Sequence, residues 1–298
     1  MKPILSIARN TFKEAIRNRI LYVILIFALI LIGFSGVVSE LTISSREKII
    51  KSLGFMAINL FGVAIAVFVG VSLVYNELEK KTIYTIVSKP IGRWQFLLGK
   101  YFGLLLTVWV NVTVMTLFLL ASIHYHSGVG AGHGFLHALG AGAVKACVTF
   151  VCWNAFEITN TIMPVYAVTV LELAIVTAFA ILFSSFSTPT LSMFFTVLTF
   201  IAGRLNEDIV RFADQIMRNA EQTIDAAGQV VTNVPTIYYV ALAIAHVVPN
   251  LGAYQHTVEL AIYENTVALW WGTVVYGLLY TTGVLCLSIL IFSRRNFK

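Results

Sequence analysis

The chain has 298 residues, of which 58% are hydrophobic and only 11% are charged, and its formal net charge is +6. Soluble domains carry about 25% charged and about 45–50% apolar residues. A water-soluble core of this size could not bury so much apolar surface, so the composition argues against a soluble enzyme and predicts a multi-spanning membrane protein. The three cysteines show no C-x-x-C spacing, so the sequence indicates neither a disulfide framework nor a zinc cluster.

The first 19 residues predict a basic helix that lies on the membrane surface ahead of the first span. Arg9, Lys13 and Arg17 recur every four residues on one face, and apolar residues such as Ile4 and Phe12 share another. We interpret residues 1–19 as an elbow helix. A cleaved signal peptide is the alternative, but the basic region is long and no small-residue cleavage site follows the apolar run cleanly.

Apolar runs predict six transmembrane helices within a single transmembrane domain, residues 1–298. A span needs about 20 residues at a rise of about 1.5 Å each. One long run between Glu157 and Arg204 is divided into two spans at the turn-prone residues before Pro189, and residues 143–158 are a candidate for a seventh. The six predicted spans are residues 20–38, 53–75, 102–123, 163–183, 189–203 and 267–292.

The distribution of basic residues predicts that both termini are cytoplasmic. In the six-span arrangement, 13 of the 20 lysines and arginines fall on the cytoplasmic side, with 3 of the 14 acidic residues. Short cytoplasmic loops carry this excess of positive charge, so we expect a multi-pass protein of the cytoplasmic (inner) membrane. A seven-span arrangement would leave Arg294, Arg295 and Lys298 outside.

Residues 203–266 are expected to form an extracytoplasmic and re-entrant region. An amphipathic helix is predicted first, with Glu207 spaced to pair with Arg211 and Asp214 with Arg218 on its polar side. It could cover the mouth of the bundle or dock an external protein partner. Residues 236–248 are apolar but too short to span, so we interpret them as re-entrant or interfacial.

Residues 76–92, between the second and third spans, form a loop longer than a simple connection needs. A short amphipathic helix begins at Glu77, Pro90 stops it, and Trp94 marks the return to the membrane interface. Such a loop is suited to being gripped by a cytoplasmic partner.

Several motifs resemble those of type-2 ABC transporter permeases, in matching order along nearly the whole chain. The basic elbow and the block from Glu79 to Lys100 are similar to that family, and so are three shorter motifs, Phe183-Ser184-Ser185-Phe186, Val248-Pro249-Asn250-Leu251 and Phe292-Ser293-Arg294-Arg295. With the spans, these features predict an all-α integral membrane protein. It would have six transmembrane helices, an N-terminal interfacial elbow helix, a cytoplasmic coupling helix and extracytoplasmic amphipathic or re-entrant helices.

The resemblance implies a permease subunit that dimerises with a second copy or a homologue and sits on separate cytoplasmic ABC ATPase subunits. Residues 76–92 would then be the coupling segment, moved when the ATPase dimer closes on ATP. The residues expected to contact the ATPase are Glu77, Glu79, Lys80, Lys81 and Tyr84. The alternative for these charges is a solvated helix with a Glu77–Lys81 pair.

The chain itself is not expected to hydrolyse ATP. A Walker A motif ending at Gly99-Lys100 would need a glycine where Trp94 stands and a serine or threonine where Tyr101 stands. ATP and magnesium would therefore belong to the partner subunit, and no cofactor is expected here. Membrane lipids are expected partners and nucleic acids are not.

Glu172 is the one charge deep inside a predicted span. A buried carboxylate in lipid is costly, so we expect it to face the bundle interior, where it is a candidate for the substrate path together with Asn111. The alternative is a protonated structural acid bonded to Asn111 or Thr169. Hydrogen bonds between helices are the alternative to a substrate-path role for Asn59 and Asn111.

Four histidines lie close together in one outer loop: His124, His126, His133 and His137. Imidazoles at this spacing could bind copper, nickel or zinc, which makes these residues weak candidates for metal ligands. A glycine-rich spacer separates the two pairs, and no acid or thiol lies close by in the loop. A polar surface loop is therefore the favoured interpretation.

Three functions remain open at this level. The leading hypothesis is an ABC permease subunit that moves an unidentified substrate, in the outward direction by resemblance. The second is an ATPase-driven mechanotransmitter that acts on an extracytoplasmic partner. A remote third is an intramembrane serine protease, because Gly33-Phe34-Ser35-Gly36 and His246 echo the motifs of rhomboid-type enzymes.

Overall fold

The computed structural model describes residues 2–41, 46–79, 92–128, 161–220, 236–263 and 271–294. This part of the chain is all-α, which confirms the predicted fold class. The ten helices described here are α1 (Lys2–Ile16), α2 (Arg19–Glu40), α3 (Arg46–Glu79), α4 (Arg93–Gly128), α5 (Met163–Ser184), α6 (Pro189–Arg204), α7 (Asn206–Ala220), α8 (Thr236–Val247), α9 (Gly252–Tyr263) and α10 (Trp271–Arg294).

Five helices, α2, α3, α4, α5 and α10, are each long and apolar enough to cross a membrane. The predicted fifth span differs, because α6 has only 16 residues and extends about 24 Å, less than the bilayer core of about 30 Å. Helices α8 and α9 are together long and apolar enough to cross a membrane, but they are bent by 73° at their junction. Such a pair is either a broken span or a re-entrant loop.

Helix α5 is the centre of the bundle. It packs against α3, α4, α6, α9 and α10, and 14 of its 22 residues are buried, compared with 6 of 22 in α2 and 6 of 24 in α10. Helix α3 comes close to α5 at Gly62, where a Cβ atom would lie 2.7 Å from Cδ1 of Leu173. The outer faces of α2 and α10 carry large exposed apolar side chains, as expected for helices that face lipid or another membrane chain.

Helix α1 is an elbow, but it packs against protein as well as facing outward. Arg9, Lys13 and Arg17 are exposed, whereas Ala8 and Thr11 are buried against α4. Asn18 ends the elbow and caps α2, since its Oδ1 accepts a hydrogen bond from the amide of Ile20 at 3.0 Å.

Side chains from two neighbouring helices and the main chain of a third fix the corner between α8 and α9. Asn206 donates to the carbonyls of Ala245 and Val248 at 2.8 and 3.0 Å. The Tyr280 hydroxyl donates to the carbonyl of Val247 at 2.8 Å. The main chain of the corner also pairs with α6, because the amide of Leu251 donates to the carbonyl of Gly203 at 3.0 Å. The motif Val248-Pro249-Asn250-Leu251 is therefore this corner.

Candidate functional site

The described residues contain a buried polar network centred on Glu172, near the middle of α5. The Glu172 side chain is 2% exposed. Arg204 donates to its carboxylate from Nε at 3.0 Å and from Nη2 at 3.2 Å, and Nη2 also lies 2.8 Å from Oε1. Asn59 on α3 donates to Oε2 at 2.6 Å. The carboxylate is thus paired with a cation and hydrogen-bonded from two sides.

Arg204 extends the network outward to a fourth helix. Its Nη1 donates to Oε1 of Gln255 on α9 at 2.6 Å, and Gln255 in turn donates to Glu259 at 3.2 Å. The guanidinium also lies over the ring of Phe200, 5.4 Å from its centroid, in cation–π range. The Arg204 side chain is 21% exposed, so it joins the buried end of the network to its exposed end.

The network ties four helices together through charge. It joins α3, α5, α6 and α9, each of which contacts the other three in the bundle. Burying charge costs several kcal/mol per ion, and the ion pair with Arg204 and the hydrogen bond from Asn59 counter that cost for Glu172. If either charge were removed, the other would stay buried without its counter-ion. The arrangement fixes the relative positions of these helices.

The structure corrects the interpretation of the partners of Glu172. Arg204 and Asn59, instead of Asn111 or Thr169, are the residues that bind its carboxylate. Asn111 donates to the carbonyl of Thr107 at 2.7 Å, within its own helix α4. The structure therefore does not bring the two predicted path residues, Glu172 and Asn111, into one hydrogen-bonded site. Asn59 joins α3 to α5, in agreement with its interpretation as a bond between helices.

A small crevice lies one turn from Glu172. Ile58, Val112, Tyr166 and Thr169 contribute to its lining, between α3, α4 and α5. Its cavity volume is about 10 Å³, about the space of one water molecule and far below the range of about 300–1,000 Å³ that is typical of ligand pockets. We assign no ligand to it.

The residues expected to contact an ATPase lie at and beyond the end of α3. Glu77 and Glu79 belong to the last turns of this helix, which continues past the predicted end of the second span. Lys80, Lys81 and Tyr84 lie outside the described residues. The helix that carries Asn59 therefore leads directly into the predicted coupling segment.

The histidine loop lies largely outside the described residues. The backbone of His124 and His126 forms the C-terminal end of α4, and His133 and His137 fall in the part that is not described. Among the residues that are described, no group of three or more histidine, cysteine, aspartate or glutamate side chains could hold a metal ion. The metal hypothesis for the histidine loop stays untested.

The serine and histidine of the protease hypothesis bond within their own helices. The buried Ser35 hydroxyl donates to the carbonyl of Ile32 at 2.6 Å. The Nδ1 atom of His246 lies 2.7 Å from the carbonyl oxygen of Leu242, at an exposed position on α8. A serine nucleophile needs a hydrogen bond to its base, and these contacts do not provide one.

Reasoning from sequence missed the partner of Glu172 and the burial of two lysines. Arg204, at the end of the predicted fifth span, has a side chain that is 21% exposed and reaches Glu172. Lys51 and Lys100 stand just before predicted spans, yet each is 1% exposed. One signal could have pointed to Arg204. The 15 apolar residues before Arg204 are too few to span the bilayer, so Arg204 should end its helix inside the membrane. Glu172, the acid inside a predicted span, needs a counter-ion there.

The fold and its network define a helical membrane protein with a buried ion pair between α5 and α6. Helix α6 is short, and the bent pair α8 and α9 lies beside it. Sequence comparison is consistent with this class. Residues 5–297 match the family model described as ABC-2 family transporter protein, so the chain belongs to this family.

One relative supports the same assignment. The chain is 31% identical over 108 residues to the probable ABC transporter permease protein NosY of Stutzerimonas stutzeri. The match covers 35% of this chain and 39% of that protein. The aligned part thus spans about two fifths of the relative, and the family model carries the assignment along the rest of the chain.

Proposed function

We propose that the chain is the membrane subunit of an ABC exporter, working as a dimer in the inner membrane with both termini in the cytoplasm. Separate cytoplasmic ATPase subunits bind residues 76–92 and supply the energy of ATP hydrolysis. Membership in the ABC-2 family and the positive charge of the predicted cytoplasmic segments support this proposal.

The observation that carries the proposal is the continuity of α3. This helix runs unbroken from Arg46 to Glu79 and contains both Asn59, in the buried network, and Glu77, at the predicted ATPase contact. A continuous helix transmits displacement along its axis as a rigid rod. Closure of the ATPase dimer would therefore act on Asn59 and, through its hydrogen bond to Glu172, on α5 and α6 as well.

We expect this network to hold the helices in register while the ATPase drives them. The Glu172 carboxylate already accepts hydrogen bonds from Asn59 and Arg204 of its own chain. We therefore favour a role for Glu172 in holding the helices together over direct binding of substrate. The substrate path through Glu172 and Asn111 remains a hypothesis. The sparsely charged spans favour a lipid-like or apolar substrate over a highly charged one.

The experiment that tests the proposal begins with purification of the tagged chain in mild detergent. A stoichiometric ATPase subunit should co-purify and hydrolyse ATP. Reversing the charges of Glu79, Lys80 and Lys81 together should abolish this activity while the protein stays inserted. The matched control reverses Glu207 and Arg211, an ion pair 3.5 Å apart on α7 in which Arg211 is exposed and Glu207 is partly buried. Normal ATPase activity in the first variant, or recovery of a bundle without any ATPase, would contradict the proposal.

One observation favours the mechanotransmitter as a second candidate. Helix α7 has a charged, exposed face, where Arg211 is 75% and Asp208 is 67% exposed. Such a face on the outer side could hold an external protein. If a soluble extracytoplasmic protein co-purifies in place of lipid and is lost when the charges of α7 are reversed, this second function is supported over transport.

A further inference from the structure

The exposed side of the elbow carries a row of three cations, Arg9 and Lys13 on α1 and Arg17 directly after it. All three are exposed, and they follow one another at one helical turn each. The amide of Arg17 still donates to the carbonyl of Lys13 at 3.3 Å, so the row continues past the last residue of α1. None of the three makes an ion pair with another residue in the parts of the chain that the structure describes. We call this row the cationic strip; it is about 12 Å long at a rise of about 1.5 Å per residue.

The acidic residue of α1 does not neutralise the cationic strip. Helix α1 contains one acid, Glu14, and its spacing of three residues would allow an ion pair with Arg17. In the structure its Oε2 lies instead 3.8 Å from Nζ of Lys100, a buried residue of α4. Packing of α1 against α4 therefore turns the one carboxylate of the helix toward the bundle and leaves the outward face positively charged.

The two edges of the cationic strip differ in polarity. At about 100° per residue, Leu5 and Ile16 lie along one edge and Ser6 and Asn10 along the other. Leu5 is 74% and Ile16 is 37% exposed, and the two polar residues are exposed as well. Around the helix the order is thus apolar, cationic and polar. This is the order of the layers at a membrane surface, where acyl chains, phosphate groups and water succeed one another, so it favours lipid over a protein partner.

The connection to α2 places the cationic strip at the level of the lipid headgroups. Asn18 separates the elbow from α2 and caps that helix. The apolar outer face of α2 begins with Ile20, which is 48% exposed, and continues with Val23, which is 53% exposed. Ile20 follows Arg17 by only three residues. Cations that directly precede a span lie where the phosphate groups of the cytoplasmic leaflet are found.

We propose that Arg9, Lys13 and Arg17 form a binding site for anionic phospholipids of the inner leaflet. The phosphate groups lie along the cationic strip, and the acyl chains follow Leu5, Ile16 and the exposed face of α2. The site selects a lipid by charge and prefers a net negative headgroup over a zwitterionic one. This inference takes the cytoplasmic position of the N-terminus from the proposed function, and it requires no ATPase.

The test measures which lipids the purified full-length chain retains in the absence of any ATPase. The protein in detergent is mixed with equal amounts of phosphatidylglycerol and phosphatidylcholine that have the same acyl chains, and the bound lipids are counted by native mass spectrometry. Each basic residue near an anionic surface raises affinity about five-fold. Arg9→Gln, Lys13→Gln and Arg17→Gln together should therefore lower the preference for phosphatidylglycerol by about a hundred-fold. Each single variant should lower it by about five-fold, which keeps the test valid if the triple variant does not fold.

Two control variants separate the cationic strip from charge in general. Arg9→Lys combined with Arg17→Lys keeps both charges and should keep the lipid preference within about two-fold. Arg211→Gln combined with Arg218→Gln removes two exposed cations of α7 and should also leave the preference unchanged. A loss of preference in the α7 variant equal to that in the triple variant would mean that net charge alone selects the lipid, and would overturn the proposal.

Three further outcomes have defined meanings. A folded triple variant with the lipid preference of the wild-type chain would refute the proposal. If that variant keeps its lipid preference but loses a co-purifying ATPase, the cationic strip binds protein instead of lipid, and the proposal is again overturned. Absence of any ATPase from the wild-type preparation would count against the proposed function alone, because the lipid preference is measured without it.

Discussion

Arg204 and Glu172 lie 32 residues apart in the chain and form an ion pair in the middle of the bundle, with Nη2 and Oε1 2.8 Å apart. The pair joins the end of α6 to the centre of α5. Since the Glu172 side chain is 2% exposed, the energetics of this contact are those of a buried salt bridge.

Removal of one member of this pair should destabilise the protein more than removal of both. Arg204→Ala leaves a buried carboxylate without its cation, which should cost about 3–5 kcal/mol. Arg204→Met combined with Glu172→Leu removes both charges and should recover most of that loss. Thermal unfolding midpoints of the purified variants in detergent are the measurement. A double variant less stable than either single one would show that the charges contribute net stability.

Substitutions of Asn59 should show that gain of a charge beside Glu172 destabilises the protein more than loss of a hydrogen bond. Asn59→Leu removes the donor that lies 2.6 Å from Oε2 of Glu172, and polar contacts between membrane helices contribute about 0.6 kcal/mol on average. Asn59→Asp places a second carboxylate beside the first and should destabilise the protein by several times as much. The same unfolding assay compares them, with Asn59→Gln as the conservative control. Equal midpoints for the leucine and aspartate variants would contradict the geometry.

Asn206 should control the order of the corner between α8 and α9. Asn206→Ala leaves the carbonyls of Ala245 and Val248 without their donor, which should cost about 1–3 kcal/mol at this buried site. Hydrogen exchange in α8 should therefore become faster, while exchange in α5 stays unchanged. Asn206→Asp should be at least as damaging, since an ionised carboxylate donates no hydrogen bond to a carbonyl. Unaltered exchange in α8 would show that other contacts suffice.

Gly203 should tolerate no side chain, in contrast to a glycine on the open face of α10. A Cβ on Gly203 would lie 2.9 Å from the main-chain oxygen of Pro249 and 2.8 Å from Cδ1 of Leu251. We expect Gly203→Ala to cost about 1–3 kcal/mol by overpacking. Gly283→Ala should be neutral or stabilising by about 0.5–1 kcal/mol, because alanine is the better helix former. A Gly203→Ala protein as stable as Gly283→Ala would contradict the close approach of α6 to the corner.

Several features of the fold could be derived from local patterns. The basic face of the elbow is one example, because Arg9, Lys13 and Arg17 recur at helical spacing and are exposed in the structure. The turn before Pro189 is another, since proline at the first turn of α6 follows from its fixed φ. The limits of α6 were harder to interpret, because a run of apolar residues does not reveal whether a short helix spans the bilayer or stops inside it.

The sequence predicted that Glu172 needs a polar partner, but it did not predict which residues form the network around it. A carboxylate in lipid must find a partner, but Asn59 lies 113 residues from Glu172, and nothing local selects it over Asn111. The burial of Lys100 was equally hard to predict, because Lys100 lies beside Glu14 where Gly99 and Gly103 let α1 approach α4 closely.

Hydrophobicity, charge bias and helical period are properties of contiguous residues, so the order of the amino acids was enough to predict an all-α membrane protein with motifs similar to those of the ABC-2 family. The packed bundle was needed to show that Glu172 pairs with Arg204, that Lys100 is buried beside Glu14 of α1, and that α8 and α9 meet at a bend of 73°. Pairing between helices depends on how each one is rotated and how closely its backbone can approach its neighbour, and both are fixed by packing across the whole bundle.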